Sequence, residues 1–191
     1  IYQLESLITI ENEQNPFFTA NTSISFNWGG VSGKVSKILT EVKTRSHNEL
    51  VVDSLKFYMN YLDKGEYFTK DIYNKAPFIF QPDVSQPQLL NQLIGITILN
   101  TKQFELEISF TENIAMTQNY SDISTQDVEV NIGVFKKIYR FNETISLPFL
   151  NGTFRLRDPN DPQINKTIFL KFSGFDGIVE DYKKNIKIYE L

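Results

Sequence analysis

Apolar and polar residues alternate along much of this chain. The clearest case is "FELEISF", in which Phe104, Leu106, Ile108 and Phe110 fall on one side of a strand and Glu105, Glu107 and Ser109 on the other. That period of two is the mark of a β-strand with one face in a core. The same spacing predicts strands in "LKFYMNY" (Leu55, Phe57, Met59 and Tyr61 on one side) and in "VEVNIGV" (Val128, Val130, Ile132 and Val134). Further strands are expected at "LITI" (7–10), "SISFNW" (23–28), "KILTEVK" (37–43), "KKIYRF" (136–141), "TFRLR" (153–157), "TIFLKF" (167–172) and the terminal "NIKIYEL".

Roughly ten strands separated by short turns are what a two-sheet sandwich requires. The turns are expected at "DKGE", "NGT", "DPNDP" and "GFDG", where Gly supplies positive φ and Pro or Asp fixes a bend. Only "SQPQLLNQL" (85–93) and "TKDIYNKA" (69–76) read as brief helices, too short for the crossover of a parallel α/β fold. Longer links fall around 62–78 and 111–126, and no segment repeats another. The expectation is one all-β domain over residues 1–191, an antiparallel two-sheet sandwich of jelly-roll type, with an immunoglobulin-like sandwich as the alternative. Its core is expected to hold Phe104, Leu106, Ile108, Phe110, Phe57, Met59, Val130, Ile132, Leu170 and Phe172.

Composition strengthens the β reading, because 16 Phe and 9 Tyr stand against an alanine content limited to Ala20, Ala76 and Ala115. A net charge of −4 gives no general attraction to polyanions, so no nucleic-acid partner is expected. The absence of cysteine removes disulfides, thiolate metal sites and thiol catalysis. No apolar run reaches the roughly 20 residues of a membrane helix; the longest, "LIGITIL" (93–99), has the length of one buried strand. A first residue of Ile1 rather than Met suggests a fragment or a product of export or polyprotein cleavage, and an extracellular or virion location is expected.

One stretch, "FNWGGVSGKVS" (26–36), resembles a phosphate-binding loop. A Walker loop needs G-x-x-x-x-G-K-[ST] between a strand and a helix. Here Trp28 occupies the first glycine position, Val35 follows Lys34, and the next segment reads as another strand. Without the hydroxyl there is no magnesium ligand, and without a helix N-terminus no dipole for the phosphate. The glycines then serve turn geometry. Trp28, ending an alternating strand, reads as core, with a glycan platform or a subunit contact as the alternatives.

Catalytic groups are sparse. His47, the sole histidine, lies in a polar segment that reads as a loop between two strands, and no G-x-S-x-G elbow accompanies it, so no enzyme of the triad kind is expected. Glu105 and Glu107 share one strand face and read as its solvated side rather than as a glycosidase pair. No cofactor is expected; calcium is the one ion the hard oxygen donors would suit, through Asp158, Asn160 and Asp161 in "RDPNDP" and Asp176, Glu180 and Asp181 in "FDGIVED". Five sequons begin at Asn21, Asn119, Asn142, Asn151 and Asn165, mostly in expected turns, where acceptors would be exposed.

The function expected first is a non-catalytic structural subunit of a virion, of capsid-type jelly-roll form, or of an extracellular surface layer or filament. Its partners would be copies of itself or neighbouring subunits. The alternative is a carbohydrate-binding module or adhesin domain that offers Trp28 with exposed tyrosines such as Tyr61, Tyr67 and Tyr73 to a glycan. A glycoside-active enzyme comes third.

Overall fold

The computed structural model describes residues 30–65 and 69–186. Helices α1 (Gly30–Val42) and α2 (Arg45–Leu55) come first. The strands follow as β1 (Met59–Lys64), β2 (Thr69–Asp71), β3 (Phe78–Pro82), β4 (Gln88–Leu89), β5 (Ile94–Ile98) and β6 (Gln103–Phe110). They continue as β7 (Ile114–Gln118), β8 (Thr125–Glu129), β9 (Gly133–Arg140), β10 (Thr144–Leu147), β11 (Leu150–Leu156) and β12 (Thr167–Phe172), and helix α3 (Phe175–Asn185) ends the described chain. The fold is mostly β, and every strand pairing in its sheets is antiparallel.

Among the described residues there are three sheets: β2-β1-β12-β5-β6-β9, β10-β11-β3 and β4-β7-β8. The large sheet turns one face inward, as alternation in β5, β6 and β12 dictates, so that Ile94, Ile96, Ile98, Phe104, Leu106, Ile108, Ile168, Leu170 and Phe172 are all buried. The β10-β11-β3 sheet lies against that face. Ring contacts join the layers: Tyr61 to Phe78 at 5.6 Å, Phe80 to Phe172 at 6.0 Å and Phe104 to Phe154 at 4.8 Å between centroids. These are ordinary tilted and edge-on aromatic geometries, and the result is sandwich-like.

The third sheet continues the ribbon formed by the first. Gln103 lies opposite Arg140 and Phe110 opposite Gly133; then, without change of register, Ile114 lies opposite Glu129 and Gln118 opposite Thr125. Residues 103–118 and 125–140 therefore form one long hairpin, bent at 111–113 and 130–132, that leaves the large sheet and enters the small one. Facing reverses across the bend. Even-numbered positions of β6 are buried, whereas on β7 Ala115 and Thr117 are buried and Ile114 and Met116 exposed. The turn between the two arms is held by Asp122, which accepts from Ser124 N (3.0 Å) and Ser124 Oγ (2.6 Å). Those bonds hold its carboxyl below the usual range.

Three sets of pairings are nested along the chain, β1 with β12, β3 with β11, and β6–β7 with β8–β9 innermost, while β5 with β12 and β4 with β7 cross them. β3 meets the large sheet by an unusual contact, since Phe80 N donates to the buried Tyr61 hydroxyl at 2.9 Å. Burial pushes the Tyr61 phenol up to about 12. The folded state thus keeps a proton that the unfolded chain releases above about pH 10, so this contribution is full below about pH 10 and is lost as pH rises to about 12. Alkaline titration of stability is expected to fall by about 2–3 kcal/mol over that interval on account of Tyr61. Tyr61→Phe should make the slope shallower; an unchanged slope in urea melts would refute the assignment.

Several expectations are corrected. "KILTEVK" is not a strand but the body of α1: Ile38, Leu39 and Val42 are half-buried while Lys37, Thr40 and Glu41 are exposed, which is helical spacing. α1 begins at Gly30, so Gly30, Gly33 and Lys34 lie within the helix rather than in a turn, and no loop precedes a helix N-terminus at the Gly-Lys pair. Trp28 in the first glycine position and Val35 after the lysine complete the objection to a phosphate loop. His47 is not in a loop between strands: it lies in the first turn of α2, its N–H donating to the N-cap hydroxyl of Thr44 at 3.2 Å. "LKFYMNY" is cut by Lys56, which closes α2 at φ 51, so Leu55 is exposed and Phe57 half-buried while Met59 and Tyr61 start β1 facing inward.

"VEVNIGV" is likewise split by the bend, which leaves Val130 half-buried and turns Ile132 out to 68% exposure rather than into the core. "SQPQLLNQL" forms no helix, because Gln88 and Leu89 pair with β7 as β4 and their side chains are buried. "TKDIYNKA" contains β2 and a single 3₁₀ turn at Tyr73–Lys75. "NGT" is inside β11 rather than in a turn, and "GFDG" opens α3. "LITI", "SISFNW" and residues 187–191 of "NIKIYEL" lie outside the described residues.

Candidate functional site

The proposed ligand and metal residues do not converge. Trp28 and Tyr67 lie outside the described residues, as does Asn21. Tyr61, expected on the surface, is 1% exposed because it fills the space between β1 and β3. Tyr73 is exposed and sets its ring edge-on to Tyr61 at 5.8 Å.

Asp158 builds a local turn, accepting from Asn160 N at 2.8 Å, with Asp161 N bonded to the Asp158 carbonyl. Asp176 and Glu180, one turn apart on α3, both face Arg45 of α2, which also reaches Glu49 at 2.6 Å. The guanidinium thus occupies the space between the two carboxylates that a cation would use. Asp181 is exposed, and its carbonyl accepts from Asn185 Nδ2 at 2.8 Å. Among the described residues, no three His, Asp or Glu side chains are grouped so as to hold a metal ion.

The sequon asparagines divide by environment. Asn142 and Asn165 are exposed at φ 65 and 64, as a turn acceptor would be. Asn119 is half-buried, its amide donating to the Ser85 carbonyl at 2.9 Å. Asn151, expected in an exposed turn, is instead 6% exposed, with Nδ2 donating to the Pro87 and Leu147 carbonyls at 2.9 Å each. Its backbone is clasped by Gln88, which accepts from Asn151 N at 3.3 Å and donates to Asn151 O at 2.8 Å. An amide so engaged has no free face for a sugar.

The surface that does stand out is the outer arm of the long hairpin, β8 and β9. Each is the last strand of its sheet, so among the described residues no strand pairs with its outer edge. On the outward row of β9, Val134 and Ile138 are 62% and 53% exposed, with Ile132 just before them. Between them Lys136 reaches Glu105 and Glu107 on β6 at 2.9 Å each, so those two carboxylates carry a shared cation and form the solvated side of the sheet. Lys137 occupies an inward position opposite Leu106, yet stays exposed and lays its ammonium over the Tyr139 ring at 4.9 Å. The buried Tyr139 hydroxyl beside it has no hydrogen-bond partner among the described residues.

Sequence reading missed this surface because Val134 and Ile138 alternate as core residues would. Their register opposite Ser109 and Glu105 of β6 places them on the solvated face of the large sheet.

A shallow cleft of about 360 Å3 lies at one end of the layers, lined by Ile79, Thr101, Phe141, Asn142, Arg155 and Arg157. Arg157 is committed, donating to the Ala76 and Tyr73 carbonyls at 2.9 and 3.2 Å. Arg155 is exposed and meets no carboxylate within ion-pair distance among the described residues. No helix among the described residues is long and apolar enough to cross a membrane. No protein-family model, curated protein or solved structure matches the chain.

Proposed function

We propose that this domain is a non-catalytic assembly subunit of a virion shell or of an extracellular layer or filament, and that it works by ordered contact with copies of itself. The observation that carries this reading is the outer arm of the hairpin: a long pair of edges to which no strand pairs among the described residues, flanked by exposed Ile132, Val134 and Ile138. Unpaired N–H and C=O groups beside exposed apolar side chains are the usual requirements of strand addition. The nested pairing of β1 with β12, β3 with β11 and β6–β7 with β8–β9 supports the jelly-roll form, in which one long hairpin is folded over on itself across two layers.

A carbohydrate-binding module is the second reading. It is favoured by the cleft, where Phe141 can stack on a sugar ring and Arg155 and Asn142 offer hydrogen-bond donors.

Light scattering and electron microscopy of the whole chain over a concentration series test the first reading. Discrete rings, shells or filaments that grow with concentration are expected. A chain that stays monomeric throughout, yet binds glycans in a manner abolished by Arg155→Ala, would replace assembly with the second reading.

A further inference from the structure

β8 and β9 belong to one arm of the hairpin, but they carry opposite charge. β8 bears Asp127 and Glu129 and no cation, whereas β9 bears Lys136, Lys137 and Arg140 and no carboxylate. Lys136 is already engaged by Glu105 and Glu107. The remaining charges, Asp127 and Glu129 on one strand and Lys137 and Arg140 on the other, are exposed and form no ion pair among the described residues.

These charges decide which pairings a strand edge can accept. Two copies joined through β9 about a twofold axis would set Lys136 and Lys137 of one against those of the other. Two copies joined through β8 would set Asp127 at the middle of the strand against itself. Like charges directly opposite across a pair of strands are destabilising, and opposite charges favourable. An exposed lysine at an inward position on an edge strand is also a known guard against pairing of like edges. A strand rich in acid meets none of these objections at β9, and this chain presents one at β8.

We infer that copies of this chain join head to tail, the acidic edge β8 of one adding to the basic edge β9 of the next. The contact is heterologous: each copy spends one edge and leaves the other open, so growth continues until a ring closes or a filament forms. The inference rests on the assembly reading above and names the surfaces it uses. Because the mating charges are exposed, rising salt weakens the contact.

Charge exchange provides the test. One variant carries Lys137→Glu with Arg140→Glu, the other Asp127→Lys with Glu129→Lys, all at exposed positions outside the internal ion pairs. Each alone presents two edges of like sign and should self-associate at least about tenfold more weakly than the unaltered chain in sedimentation velocity. Mixed in equal amounts, the two should assemble again, because each now offers the edge the other lacks; recovery on mixing also demonstrates that both are folded. If either pair upsets the fold, Asp127→Asn with Glu129→Gln weakens the contact in the same direction.

If the unaltered chain assembles and the charge exchanges leave it unmoved, the edges are occupied by another part of the chain or are idle. The same holds if two folded variants fail to recover on mixing. Either result overturns the β8–β9 contact while assembly through another surface stands. If the unaltered chain never associates, the assembly reading itself fails.

Discussion

Replacing Gly152 by alanine should destabilise the domain by about 3–5 kcal/mol, the sum of a strained backbone and a forced overlap in the core. Gly152 sits within β11 at φ +149, a conformation that L residues rarely adopt. A Cβ there would meet the Gln81 carbonyl oxygen at 2.3 Å and the Phe80 ring at 2.6 Å. Neither neighbour can give way cheaply. The carbonyl is main chain of the paired strand β3, and Phe80 is buried against Phe154 and Phe172. Urea unfolding monitored with an unchanged m-value measures the effect as a shift in midpoint. A loss below about 1 kcal/mol would mean that β3 and β11 are not packed at this distance.

Phe154→Ala should cost about 3–5 kcal/mol through lost burial and the cavity left behind. The ring is fully buried at the centre of the interlayer contact, 4.4 Å from Phe80, 4.8 Å from Phe104 and 5.4 Å from Phe78 between centroids. Because those partners come from both layers, the vacated space cannot be closed by shifting one side chain. Equilibrium unfolding checks this, with thermal melting as a second probe. A cost near that of a surface substitution, within about 0.5 kcal/mol, would show that the two sheets do not face each other through this residue.

Much of the β architecture is legible in local pattern. The rows Phe104 to Phe110 and Ile168 to Phe172 are buried as their period of two requires, and "TIFLKF" coincides with β12. The same rule failed where short apolar runs fit two periods: Ile38, Leu39 and Val42 suit a helix face as well as a broken strand, and the helix prevails in α1. It failed again at Asn151 and Gly152, whose composition reads as a turn. Their place in β11 follows from pairing with β10 and, at Gly152, with β3, and Gln88, 63 residues away in sequence, adds side-chain bonds to the Asn151 backbone.

The start of α3 has a similar cause. Gly174 supplies no capping side chain, and the side-chain Oε1 of buried Gln118 at the end of β7 accepts instead from Phe175 N at 2.9 Å. No local signal in "SGFDG" announces a cap delivered from a distant strand.

The amino-acid sequence by itself determined that the chain is built from antiparallel strands and which face of β5, β6 and β12 is buried, because alternation is a local property of consecutive residues. Only the tertiary structure decided that the run from 125 to 140 is one bent arm and the outermost strand of two sheets. Whether an alternating strand lies inside or at an edge depends on how many partners reach it, and those partners come from remote parts of the chain. The register of β9 on β6, with Val134 opposite Ser109 and Ile138 opposite Glu105, likewise makes those two surface residues although their spacing is that of a core.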